Sequence, residues 1–161
     1  MDINRVHIIN FSGGMLTMAE LKTTVNIAWN GGATGNGTLK AEYLDTKVAI
    51  PTSLGGSGNG ADPKELLVSS ATTCYIATLT YMLESRKLPI VQLTLNSEAS
   101  ISDKGFNITH APQIVLAADA TEDQVQSAER AIEGADKGCE VGNLLKKAGV
   151  VIEAQGKVSL K

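Results

Sequence analysis

Apolar and polar residues alternate from Thr23 to Trp29 (TTVNIAW), the period of a half-buried strand. Residues 31–37, GGATGNG, form a turn by composition. Two short extended segments follow at Thr38–Tyr43 and Thr46–Ile50, with Leu44-Asp45 between them, a small meander that Pro51 ends. Residues 52–61, TSLGGSGNGA, read as a flexible glycine-rich crossing loop. The period then changes. Asp62-Pro63-Lys64-Glu65 supplies an N-cap carboxylate, a proline at the first helical position and an acid at N3, a strong helix start. The helix is predicted to run to Ser85 or Arg86, short of Pro89. Leu67, Ser70, Ala71, Cys74, Thr78 and Tyr81 fall on one face, widened by Leu66, Val68 and Met82. Few charges lie between Glu65 and Glu84, which places this helix near the centre of the molecule.

Alternation resumes at Val91–Ser102 (VQLTLNSEASIS), a long strand, and after the turn Asp103-Lys104-Gly105 the segment Ile108–Ala118 is expected to pair with it antiparallel. Thr121 caps a second helix whose first turn holds Glu122 and Asp123, complementing the helix dipole, and which ends near Lys137-Gly138. A short third helix covers about Glu140 to Lys147, stopped by Gly149, and GVVIEAQGKVSL closes the chain as one more alternating strand. Strands, helix, two strands, two helices and a strand make an α+β protein.

The chain of 161 residues fits one domain, 21–161, with residues 1–20 an extension or alternative-start segment. A net charge of −3 and 4% aromatic residues argue against nucleic-acid binding, which needs a basic stripe or stacking platform. Residues 1–20 hold only a short apolar run, Val6 to Phe11, without a signal-peptide pattern. No segment is read as reaching the ~18 apolar residues of a membrane span. The expected compartment is the cytoplasm, with no membrane partner, where cysteines stay reduced.

Two cysteines carry the candidate chemistry. Cys74, in the middle of a helix on its apolar face, reads alone as a small core hydrophobe. Cys139 follows Lys137-Gly138 at a helix start, where free backbone N–H groups and the dipole favour a thiolate. Its bland reading is a helix-start residue that happens to be cysteine. No C-x-x-C is present and the two histidines are isolated, His7 as a tail residue and His110 as a strand-edge residue, so no metal or other cofactor is expected. The glycine loop lacks both phosphate-binding spacings, and Asp62 at the N-cap opposes an anion there.

The run KVAIPTSLGGSGNGADPKELLVSSATTCYIATL (47–79) closely resembles the central signature of the OsmC/Ohr family: a short strand ending in Pro, a glycine loop, then an acid-Pro helix start with a cysteine about ten residues on. GCEVGNLLKKAGVVIEAQGKVSL (138–160) resembles the family's second landmark, a cysteine opening a short helix. The resemblance implies antiparallel sheets wrapped around a long central helix bearing Cys74, in an intertwined homodimer with its sites at the interface. It implies a thiol-dependent peroxidase: the Cys74 thiolate attacks an organic hydroperoxide to become a sulfenic acid, Cys139 resolves it as a disulfide, and an external dithiol reduces that. Helix-terminus electrostatics alone would name Cys139 the more acidic thiol; the resemblance assigns the attack to Cys74. The family's arginine, in the turn after the first strand, is missing: Gly35 or Asn36 stands there, and the arginines are Arg5, Arg86 and Arg130. The family's glutamate directly follows the Pro; here Lys64 does, and Glu65, the remaining catalytic candidate, lies about 13 Å along an unbroken helix from Cys74. The alternatives are a non-catalytic protein of this type binding a small apolar ligand at the dimer interface, and a structural dimer with two inert core cysteines.

Overall fold

The computed structural model describes residues 22–103 and 105–161. Its elements are β1 (Asn26–Asn30), β2 (Asn36–Lys40), β3 (Asp45–Ala49), α1 (Pro63–Ser85), β4 (Ile90–Ser102), β5 (Gly105–Leu116), α2 (Glu122–Gly138), α3 (Glu140–Lys147), β6 (Val151–Ala154) and β7 (Lys157–Leu160). The expected α+β order holds. The segment 1–20, with His7 and Arg5, lies outside the described residues.

Local signals set the helix ends. The Asp62 side chain accepts from the Lys64 and Glu65 amides at 2.6 and 3.0 Å, and Glu65 Oε2 accepts from the Asp62 amide at 2.9 Å, a complete capping box. Thr121 and Gln124 build a second one at the start of α2. Past α3, Gly149 takes a φ of +90°, which ends the helix.

Strands β1, β2 and β3 form an antiparallel sheet. The second sheet is centred on β5, antiparallel to β4 and parallel to β6 and β7. The closing strand is therefore two pieces, and the sheet is mixed rather than purely antiparallel. The break at Gln155-Gly156 lies opposite Pro112, which has no N–H to continue a ladder. Parallel pairing follows from the crossover through α2 and α3, which returns the chain to the starting end of β5.

One face of β5 and α1 make the core. Tyr75, Leu79 and Leu83 of α1 are buried with Ile114 and Leu116 of β5 and with Ala128, Ala131 and Ala135 of α2. Each large side chain so buried contributes roughly 1.5–3 kcal/mol. The buried row of α1 is Ala71, Tyr75, Leu79 and Leu83, one step round from the expected face; Tyr81 is 73% exposed and Ser70 is exposed too. A helix apolar all round has no periodicity to choose a face, so its neighbours choose it. By length and composition α1 also passes as a membrane span, with a mean hydropathy of 1.4, contrary to the expectation above. In the fold it is the helix that the core forms around.

The glycine loop is not the flexible segment expected. The Gly56 and Gly58 amides donate to Pro51 and Ile50 carbonyls, the Ala61 amide donates to Lys47, and Ser57 Oγ donates to the Gly35 carbonyl at 2.9 Å, tying the loop to the β1–β2 turn.

His110 is likewise not at a strand edge. It is 1% exposed on the central strand β5, stacked on Tyr75 with ring centroids 4.6 Å apart. Its Nδ1 pairs with Ser97 Oγ at 2.8 Å, while its buried Nε2 has no hydrogen-bond partner among the described residues. Burial lowers its pKa from 6.5, the Asp136 charge opposing this and Lys146 reinforcing it. The unfolded chain thus takes up a proton at a higher pH than the folded one, and stability present above about pH 6.5 is lost as pH falls below it. His110→Phe keeps the stack and cannot titrate. Between about pH 7 and about pH 5 the urea midpoint of the parent chain should fall more steeply than that of the variant. Equal slopes would show that His110 does not contribute to acid sensitivity.

Candidate active site

Cys74 lies in the middle of α1, on the flank between the buried row and the exposed face, and is half-buried. Cys139 is the single residue between α2 and α3, serves as N-cap of α3, and is 2% exposed. The packing of α1 against α2 and α3 brings these distant positions together at the first turn of α3, close enough that Cys74 shifts the Cys139 thiol, and both are free thiols.

The first turn of α3 serves both sulfurs. The Val141 amide donates to Cys74 Sγ at 3.5 Å and the Gly142 amide to Cys139 Sγ at 3.3 Å. These are two of the N–H groups that a helix start leaves without intrahelical partners. Gly142 is buried, and a Cβ there would meet Cys139 Sγ at 3.1 Å, so the close approach depends on glycine. Asn143 fixes the joint from outside, its Nδ2 donating to the Lys137 carbonyl at 2.9 Å. Lys146 and Asp136 close it with a half-buried ion pair at 2.6 Å.

The two thiols differ in environment. Burial pushes the Cys139 thiol from 9.0 up to about 11; Cys74 and the Asp136 charge add to this, while the Gly142 amide opposes it. The helix-start argument for a Cys139 thiolate thus names a real contact that burial outweighs. Beneath the pair, Tyr75 donates to the Ile132 carbonyl at 3.1 Å, and its phenol is held neutral by burial and then by the Asp136 charge.

Cys74 opens on a cleft of about 580 Å³ between α1 and the β1–β3 sheet, walled by Val25, Leu39, Leu44, Leu66, Thr73 and Ala77 among others. No lysine or arginine lines it among the described residues. A second apolar cleft of about 470 Å³, containing Trp29, Leu54 and Leu66, adjoins the start of α1.

Glu65, the third candidate, does not join the cysteines. Its carboxylate is engaged at the Asp62 amide in the capping box, about 13 Å along α1 from Cys74. Sequence reasoning placed free backbone N–H groups at Cys139 without naming Gly142, and missed both the Val141 amide on Cys74 and the Tyr75–His110 stack. Backbone donors carry no side-chain signature, although a cysteine at a helix start with glycine three residues on was a usable hint for Gly142. The stack had no local signal.

A family model described as "OsmC-like protein" matches residues 56–155. The Bacillus subtilis (strain 168) protein YmaD is 31% identical over 148 residues, covering 89% of this chain and 98% of its own. The fold is similar to that of an OsmC-like protein from Mycoplasma pneumoniae, with a TM-score of 0.67 and 18% identity over 88% of this chain and 99% of the other. It is also similar to an organic hydroperoxide resistance protein from Legionella pneumophila, with a TM-score of 0.59 and 21% identity over 89% and 99% of the two chains. With its family signature spanning the glycine loop, both cysteines and the closing strand, this chain belongs to the OsmC-like family.

Proposed function

We propose that the protein is a thiol-dependent peroxidase that reduces organic hydroperoxides. The observation that carries this reading is two free thiols served by successive amides of one helix turn in unlike surroundings: Cys74 beside an apolar cleft, Cys139 sealed behind it. The names of the Legionella pneumophila protein and of an Elizabethkingia anophelis protein of the same fold, both organic hydroperoxide resistance proteins, point the same way.

The asymmetry supports the roles that the resemblance implies. The Cys74 thiolate attacks the terminal oxygen of the hydroperoxide, the O–O bond breaks, and the departing alkoxide takes a proton to leave as an alcohol. Cys74 becomes a sulfenic acid. Cys139, held as S–H by its burial, then attacks that sulfur; its proton and the hydroxyl leave as water, and a disulfide joins the two. An external dithiol returns the two electrons, which suits a reducing compartment such as the cytoplasm. The uncharged cleft favours an alkyl chain over hydrogen peroxide.

A second copy of the chain completes this site. The outward face of α1 (Ser69, Ser70, Thr73, Ala77, Tyr81) is exposed yet uncharged, and Val25, Ile27 and Trp29 are exposed beside it. A homodimer would cover both and close the cleft over Cys74.

The second reading, a non-catalytic protein binding a small apolar ligand, draws on the same uncharged cleft. Thiol titration with cumene hydroperoxide separates the two. The peroxidase loses both thiols and gains an intramolecular Cys74–Cys139 disulfide by mass, whereas unchanged thiols would favour the binding module. Cys74→Ser should abolish turnover, and turnover by that variant at the parent rate would remove Cys74 from the mechanism. Cys139→Ser should leave a Cys74 sulfenic acid that dimedone captures. Glu65→Gln preserves the cap acceptor, so hydroperoxide consumption should stay within about twofold of the parent and stability within about 0.5 kcal/mol. A large loss of rate with the fold intact would restore Glu65 to the site.

A further inference from the structure

A nucleophilic thiol needs something to hold its negative charge, and among the described residues no lysine or arginine lines the cleft that Cys74 opens on. The turn after β1, where the resemblance places an arginine, is closed to one at Gly35: a Cβ there would lie 2.0 Å from the Asn30 carbonyl oxygen. Arg86 donates to the Ser127 carbonyl, about 18 Å along α1 from Cys74. Lys64 sits at the other end, about 15 Å away along the axis. Lys146 is engaged by Asp136. Among the described residues, the donor that does reach Cys74 Sγ is the Val141 amide, at 3.5 Å.

We propose that the backbone N–H of Val141, at the second position of α3, is the group that stabilises the Cys74 thiolate, in place of a side-chain cation. The inference rests on the reading of Cys74 as the nucleophile and goes beyond it by naming what activates it.

Three features make the amide suitable. It has no intrahelical acceptor, so nothing competes with the sulfur for it. It points along α3, whose aligned peptides add partial positive charge at that end, and whose last turn carries Lys146 and Lys147 to complement the other. It is also fixed in place, because the α2–α3 joint is held by Asn143 on the Lys137 carbonyl and by the Lys146–Asp136 pair. A long arginine must be ordered against solvent before it can hold a thiolate, whereas this donor is ordered by the fold itself. The arrangement also explains the division of labour at the helix start. The second amide goes to the half-buried sulfur that meets substrate, and the third goes to the sealed one.

The test removes that one hydrogen. Val141→Pro deletes the N–H at a first-turn position, where proline costs no intrahelical bond, and Val141→Ala is the control that trims the side chain but keeps the donor. The readout is the rate at which iodoacetamide alkylates the Cys74 peptide across a pH series, followed by mass, with hydroperoxide turnover measured in parallel. Val141→Pro should alkylate about tenfold more slowly than Val141→Ala at neutral pH, its profile displaced to higher pH. Lys64→Ala should match the parent chain. Equal profiles for the proline and alanine variants, or a slowed Lys64→Ala, would overturn the proposal. Proline also disfavours helical geometry at Glu140. If the proline variant melts early, the ester analogue with 2-hydroxyisovaleric acid at position 141 removes the same N–H while keeping the side chain, and the same comparison decides. A parent chain that consumes no hydroperoxide would sink the peroxidase reading alone. The alkylation series would still judge the amide.

Discussion

An uncharged helix gains from being covered, and much of this architecture answers that constraint on one side of α1. Between Glu65 and Glu84 the helix offers water nothing charged. Its row from Ala71 to Leu83 is covered from within, by β5 and α2. Its other side faces the β1–β3 sheet across a cleft instead of packing against it. Cys74 stands on the boundary between the two regimes. One turn of the helix places its sulfur near the sealed Cys139, and the same turn gives it access to the cleft. A residue deeper in the packed row would be inaccessible, and one further out would lose its partner.

The two sulfurs show how competing electrostatic effects are decided by magnitude. A helix start typically favours an anion by about 0.3–1 kcal/mol, with about 2 kcal/mol in the best partly buried cases. At Cys139 burial leads the shift of the thiol from 9.0 up to about 11, a net displacement against the anion that already includes the opposing Gly142 amide. At Cys139 desolvation therefore prevails even though the Gly142 amide touches the sulfur. Asp136 weighs in the same direction, because its negative charge penalises a thiolate, and its pairing with Lys146 only partly cancels that.

Much of this was legible in the sequence wherever the determining chemistry is local. Asp62-Pro63 with Glu65, Thr121 with Gln124, and the stop before Pro89 fixed helix ends to within a residue, because capping is an affair of four consecutive positions. The site's two cysteines were identified through their family setting. What escaped was decided across the fold. The buried face of α1 depends on which neighbour arrives first, since its own pattern is indifferent. His110 looks like an edge residue until the crossover through α2 and α3 lays β6 and β7 along the far side of its strand. Glu65 is the contrasting case. Its place near the Pro suggested chemistry, but the capping box that the same residues predicted already accounts for its carboxylate.

The glycine loop ties these strands of reasoning together. Composition alone suggests mobility, since glycine places few limits on the chain. Here the loop is held by Pro51, Ile50 and Lys47 carbonyls, and its serine reaches across to the Gly35 carbonyl in the turn after β1. Fixing that turn fixes the sheet that forms one wall of the cleft, and fixing the end of the loop at Ala61 sets where α1 begins. The cleft over Cys74 is thus framed by backbone hydrogen bonds on one side and, on the other, by a helix whose register is set at its cap. Glycine serves close approach at Gly56 and Gly60 and left-handed backbone at Gly55 and Gly58, and the site inherits its geometry from segments outside the pair of cysteines.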